Sequence, residues 1–124
     1  MAKILFIEDE SALQRAATKV LNEEGYSVLS ALNGEDGLEM AKREKPDLIL
    51  LDLILPKLDG FAVLEALKQD DTTKKIPVMI LSNLEGGGDV EQALELGAKT
   101  YLVKANYRLE EVVEKIKQVL GNSQ

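Results

Sequence analysis

Leu48-Ile49-Leu50-Leu51 is an unbroken apolar run that stops at an acid, Asp52. Such a run has no polar face. As a strand it must be covered on both sides, the situation of a parallel strand between two helix layers. Residues 4–7 and 78–81 repeat the pattern, and each also ends at polar groups: Glu8-Asp9-Glu10 after the first, Ser82 after the second. Residues 28–31 and 101–103 read as weaker strands at the flanks of the sheet, and the latter ends at Lys104.

Helical patterns fill the intervals. Leu13, Ala16, Ala17, Val20 and Leu21 recur at helical spacing, with Gly25 as a stop. A short helix is predicted over 38–41, after Asn33-Gly34 and ending before Pro46. Phe61, Leu64 and Leu67 mark a third, with Asp59 near its start. Asp89 and Gln92 form a capping-box pattern that opens a fourth, through Val90, Ala93 and Leu94 to Gly97. The longest stripe is Leu109, Val112, Val113, Ile116, Val119 and Leu120, ending at Gly121. Strand and helix thus alternate five times, which predicts a doubly wound α/β domain over residues 1–121. A short tail at 122–124 follows, with no output domain, repeat or linker visible.

A length of 124 residues fits one domain, and 45% hydrophobic with 30% charged residues is a globular composition. A net charge of −7 argues against direct binding to nucleic acid or an anionic membrane. The chain has no cysteine and no histidine, which excludes disulfides, thiolate or imidazole metal ligands, a histidine base and a phosphohistidine. The apolar run after Met1-Ala2-Lys3 is too short for a signal peptide or a membrane span, so a cytoplasmic location is expected.

In an open α/β sheet, sites form beyond the carboxyl ends of the strands. Glu8, Asp9 and Asp52 stand at such ends, as does Lys104. Taken singly, Asp9 or Glu10 reads as a helix cap, Asp52 as a loop acid, Lys104 as a surface lysine and Ser82 as the start of a loop. Taken together they form a carboxylate cluster facing one ammonium, costly without a further cation. Oxygen ligands alone suit Mg2+ or Mn2+. A metal there would let a carboxylate attack a phosphoryl centre. Asp52, ending the most apolar strand, is the candidate nucleophile. Lys104 would supply a point charge and Ser82 a hydroxyl hydrogen bond to the same phosphate.

The motifs Glu8-Asp9, Asp52-Leu53-Ile54-Leu55-Pro56 with Asp59-Gly60, Ser82, and Gly97-Ala98-Lys99-Thr100-Tyr101-Leu102-Val103-Lys104 resemble those of a response regulator receiver domain of two-component signalling, over residues 3–120. The resemblance implies a flavodoxin-like fold with strand order 2-1-3-4-5 and five helices. It implies that Asp52 is the phosphoacceptor and that Asp9, Asp52, the Ile54 carbonyl and, through water, Glu8 hold Mg2+. Ser82 and Lys104 would contact the phosphoryl group. Tyr101 would be an aromatic switch moving with Ser82, or else a half-buried tyrosine of a flanking strand. The implied donor is a histidine kinase or histidine phosphotransfer protein, and the output a downstream protein target or self-dimer. The chain would catalyse its own phosphorylation and slow dephosphorylation rather than act as a conventional turnover enzyme.

Four features bear on that expectation. Ala105 stands where the family usually has proline, often after a cis bond, which implies either a trans bond with a shifted loop at Ala105-Asn106-Tyr107 or a strained cis bond. Ile54 and Leu84, each two residues past a site group, are apolar and cannot orient an attacking water, so slow self-dephosphorylation is expected. Gly86-Gly87-Gly88 reads as a flexible loop, or one that rearranges on phosphorylation. Arg15 and Lys19 read as a solvated face, at the place where the family docks its phosphodonor. The alternative function is a degenerate receiver acting as a constitutive interaction module. An aspartyl-nucleophile phosphatase would need a second acid where Ile54 stands. A flavin carrier would need a Ser/Thr-rich phosphate loop where Glu8-Asp9-Glu10 stands.

Overall fold

The apolar runs are strands: β1 (Lys3–Ile7), β3 (Leu48–Leu51) and β4 (Val78–Ser82), flanked by β2 (Ser27–Ala31) and β5 (Thr100–Val103). A computed structural model describes residues 2–84 and 86–121. The five strands are all parallel, in the order β2-β1-β3-β4-β5. β3 is therefore central, and its four residues are all buried.

Successive side chains of a strand face opposite ways, and the two resulting sets meet different helices. Leu5, Ile7, Ile49, Leu51, Val78 and Ile80 pack with Ala41, Val63, Leu64, Leu67 and Ala93. Those partners lie on α2 (Gly34–Glu44), α3 (Gly60–Gln69) and α4 (Gly87–Glu95). Ile4, Phe6, Leu48, Leu50, Met79, Leu81 and Leu102 pack with Ala17, Leu21, Val112, Val113 and Ile116. These belong to α1 (Ser11–Glu23) and α5 (Leu109–Gly121). Each large aliphatic side chain so buried contributes roughly 1.5–3 kcal/mol, which is why both faces of the three inner strands are apolar. No helix among the described residues is long and apolar enough to cross a membrane.

Helix ends follow capping chemistry. Asn33 accepts the Asp36 N–H at 2.8 Å, and Asp59 accepts the Ala62 N–H at 3.1 Å. Each such cap stabilises its helix by about 1 kcal/mol. Gly25 (φ 94°) and Gly97 (φ 111°) turn the chain out of α1 and α4 in the left-handed region that glycine tolerates.

Sequence expectations for α2 and α4 need correction, and the alternative left open after β5 is resolved. α2 is longer than residues 38–41, because its contact face includes Gly37, where a Cβ would lie 2.6 Å from Ile7 Cδ1. A pattern that counts apolar side chains misses a face made by a glycine. α4 opens at Gly87 with Gly86 as its N-cap, three residues before the expected cap at Asp89. Asp89 acts one turn in, as a first-turn acid facing the positive end of the helix dipole. The glycine run is accordingly a cap and a first helical turn rather than a plain loop. Finally, no cis peptide bond occurs among the described residues. The chain after β5 takes the trans alternative, coiling as a 3₁₀ turn over Lys104–Asn106. The tail expected at 122–124 lies outside the described residues.

Candidate functional site

Register brings the site together. Ile7 pairs with both Ala31 and Leu51, so the residues that follow β1 and β3, Glu8 and Asp52, emerge side by side. Two backbone bonds extend the pairing past the strands: Glu8 N–H to the Ala31 carbonyl at 2.9 Å and Asp52 N–H to the Ile7 carbonyl at 3.0 Å. Carboxylate oxygens of Glu8, Asp9 and Asp52 lie within 4.8 Å of one another. Glu8 (0% exposed) and Asp52 (3%) are buried, while Asp9 is exposed to solvent.

Lys104, from the far side of the sheet, reaches into this cluster. Its Nζ donates to Asp52 Oδ2 at 2.8 Å. It also lies 2.6 Å from Glu8 Oε1, a close ion pair. The other oxygens are held by backbone: Asp52 Oδ1 accepts the Ile54 N–H at 3.1 Å, and Glu8 Oε2 accepts the Glu10 N–H at 3.0 Å. Burial pushes the Glu8 carboxyl up to about 7, against the opposing pull of Lys104 and the Glu10 amide, and the Asp52 charge adds to the rise. Burial pulls the Lys104 ammonium down, but contacts with Asp52 and Glu8 more than offset it and leave its pKa raised. Three carboxylates against one ammonium leave two negative charges when all are ionised. An all-oxygen donor set, partly buried and in excess of its one ammonium, fits a hard divalent cation such as Mg2+ or Mn2+.

Ser82 ends β4 fully buried, and its Oγ accepts the Leu84 N–H at 3.4 Å. The Leu84 carbonyl accepts the Tyr101 hydroxyl. Leu84 thus joins Ser82 to Tyr101, a half-buried residue of β5. Ile54 is 55% exposed beside Asp52, and Leu84 is half-buried. The loop from Asp52 to α3 is held tightly: at Gly60 a Cβ would lie 2.3 Å from Leu53 Cα and 2.5 Å from the Asp52 carbonyl oxygen. Only glycine permits that approach.

Two residues escaped the sequence reading. Gln14 is buried on α1, and its Nε2 lies 2.8, 3.1 and 3.0 Å from the carbonyls of Phe6, Glu8 and Ala31. It fixes the backbone from which Glu8 and Asp9 depart. Its spacing with Ala17 and Leu21, as a polar residue in an apolar stripe, was the available signal. Asn83 accepts the Ala105 N–H on its Oδ1 at 3.1 Å, and nothing in the local pattern announces that contact.

The family described as response regulator receiver domain matches residues 4–117. Response regulator PleD of Caulobacter vibrioides is 45% identical over 103 residues, which are 83% of this chain but 23% of PleD. The chain therefore spans about a quarter of that relative. Protein PilH of Pseudomonas aeruginosa PAO1 is 38% identical over 84% of this chain and 86% of PilH. The receiver domain of the sensor histidine kinase PA1611 from the same strain, solved with a magnesium ion coordinated in its active-site cleft, superposes with a TM-score of 0.87. It is 28% identical, over 97% of this chain and 98% of that one. In sequence and in fold, the chain belongs to the response regulator receiver domains of two-component signalling.

Proposed function

We propose that Asp52 accepts a phosphoryl group from a phosphohistidine of a histidine kinase or histidine phosphotransfer protein, and that the modified chain presents a changed surface to a protein target or a second copy. The single observation that carries this is the pairing of buried Asp52 with Lys104 beside two further carboxylates. Asp9, Asp52 and the Ile54 carbonyl would hold Mg2+, with Glu8 acting through water. Bound there, the ion would screen the charge between the carboxylate nucleophile and the incoming phosphate oxygens. An oxygen of Asp52 attacks phosphorus as the phosphorus–nitrogen bond to the donor imidazole breaks. The 124 residues include no histidine, so the donor histidine lies outside them.

Lys104 pairs with Asp52 before transfer, and its ammonium can follow the negative charge to a phosphoryl oxygen without leaving the site. Ser82 would donate its hydroxyl hydrogen to another. That donation draws on the group that accepts from Leu84, whose carbonyl holds Tyr101, so the phosphoryl group biases the loop after β4 and the ring on β5. Mg2+-dependent self-phosphorylation and slow dephosphorylation are thus assigned to Asp52, Ser82 and Lys104, and switching to Ser82 and Tyr101. A cytoplasmic location belongs to the same proposal, as does a receiver unit over residues 1–121.

Calorimetric titration with beryllofluoride, a mimic of the aspartyl phosphate, separates this from a constitutive interaction module. Saturable binding that needs Mg2+ and is abolished in Asp52→Asn is expected. Absence of binding by the wild-type chain would favour the degenerate module.

A further inference from the structure

Lys104 needs a fixed place above Asp52, because its ammonium is a point charge on a flexible four-carbon stem. Its own side chain cannot set that place. The residue after it, Ala105, is small and exposed and brings little packing to the turn. The pairing of β4 with β5 ends at Ser82 beside Val103, so Asn83 and Lys104 stand one step past the ladder. There a side chain continues what the strands leave off: the Ala105 N–H donates to Asn83 Oδ1 at 3.1 Å. The Tyr107 N–H closes the same turn on the Lys104 carbonyl at 3.3 Å. Asn83, Lys104, Ala105 and Tyr107 also line one cleft with Glu10, so the turn borders open space on that side.

We propose that Asn83 is a positioning residue for Lys104: its side-chain carbonyl holds the Ala105 amide and thereby the turn that sets the reach of the lysine. The tie links the loop that follows Ser82 to the loop that carries Lys104, the two groups assigned to the phosphoryl oxygens. It requires an N–H at residue 105, which a proline would not have. Asn83 thus supplies by hydrogen bonding a constraint that a ring at position 105 would supply covalently. The inference rests on the acceptor role of Asp52.

Two measurements test it on the full chain. The first is the rate of phosphorylation by acetyl phosphate at saturating Mg2+, followed by intact mass. Asn83→Ala is expected to slow it roughly three- to tenfold, the effect of one net hydrogen bond, with Mg2+ affinity as in wild type. Asn83→Asp keeps an acceptor oxygen at the same reach and recovers most of the rate. In Ala105→Pro, which has no N–H to give, adding Asn83→Ala changes nothing further. An Asn83→Ala rate equal to wild type would overturn the proposal, as would an undiminished Asn83→Ala penalty in the Ala105→Pro background. The second measurement is hydrogen exchange of the Ala105 amide in metal-free protein. Protection in wild type that is lost in Asn83→Ala supports the tie, and equal exchange in both overturns it. A wild-type chain that takes no phosphoryl group would instead sink the acceptor reading, while the exchange experiment still judges the tie.

Discussion

Glu8 carries the electrostatic strain of the site. Its carboxylate ionises near 4.5 as a free group and at about 7 in place, chiefly because burial disfavours the charge. Between those values the native state holds a proton that the unfolded chain has released. Stability is therefore full below the window and falls as pH rises through it. In chelator, wild type is expected to lose up to about 3 kcal/mol from this group between its two ionisation points. Glu8→Gln should flatten that segment of a Tm-against-pH curve and melt higher at neutral pH, and an identical slope in both proteins would contradict the assignment. We propose that two other residues set the rate of hydrolysis. Ile54 is exposed beside Asp52 and Leu84 is half-buried beyond Ser82, and neither offers a polar atom to orient water. Ile54→Asn and Leu84→Glu are each expected to shorten the lifetime of the phosphorylated form several-fold, read as loss of the phosphoryl mass with time. Decay no faster than wild type would place the control of hydrolysis elsewhere.

At the scale of elements, the ends of strands and helices were easier to read than the loops between them. The five strands fall where uninterrupted or weak apolar runs placed them, because burial on both faces leaves no room for polar residues. Asn33, Asp59, Gly25 and Gly97 end or begin helices by local chemistry that a sequence displays. The 3₁₀ turn after β5 is tied to Asn83 by a hydrogen bond between residues 22 positions apart, and no local pattern encodes that contact. The start of α4 was misread because a capping-box pattern at Asp89 outweighed a glycine cap at Gly86. That difference can be measured. Gly88 sits in the first turn of α4 with open space where a Cβ would go and no positive φ. Gly88→Ala is expected to stabilise the fold by about 0.5–1 kcal/mol in denaturant unfolding; destabilisation would argue for the loop. Gly60→Ala is expected to do the opposite, by about 2–3 kcal/mol, since its Cβ would strike the backbone that presents Asp52.

For the molecule as a whole, the central fact is that one rim of one parallel sheet gathers groups from four strands. β1 supplies Glu8 and Asp9, β3 supplies Asp52, β4 supplies Ser82 and β5 supplies Lys104. This convergence was legible in advance, because each apolar run ends at its candidate residue and parallel strands put all those ends on the same side. The supports were not legible. Gln14 binds three carbonyls contributed by β1, β2 and the residue after β1, a geometry visible only once the strands are paired. The same platform supplies a chain of hydrogen bonds from Ser82 through Leu84 to Tyr101, the route we propose for coupling. Everything in this account depends on Asp52 being a phosphoryl acceptor. Intact mass of the chain after incubation with acetyl phosphate tests that directly. One phosphoryl group should be gained with Mg2+, none in chelator and none in Asp52→Asn. An unchanged wild-type mass with Mg2+, or an equal gain in Asp52→Asn, would contradict it.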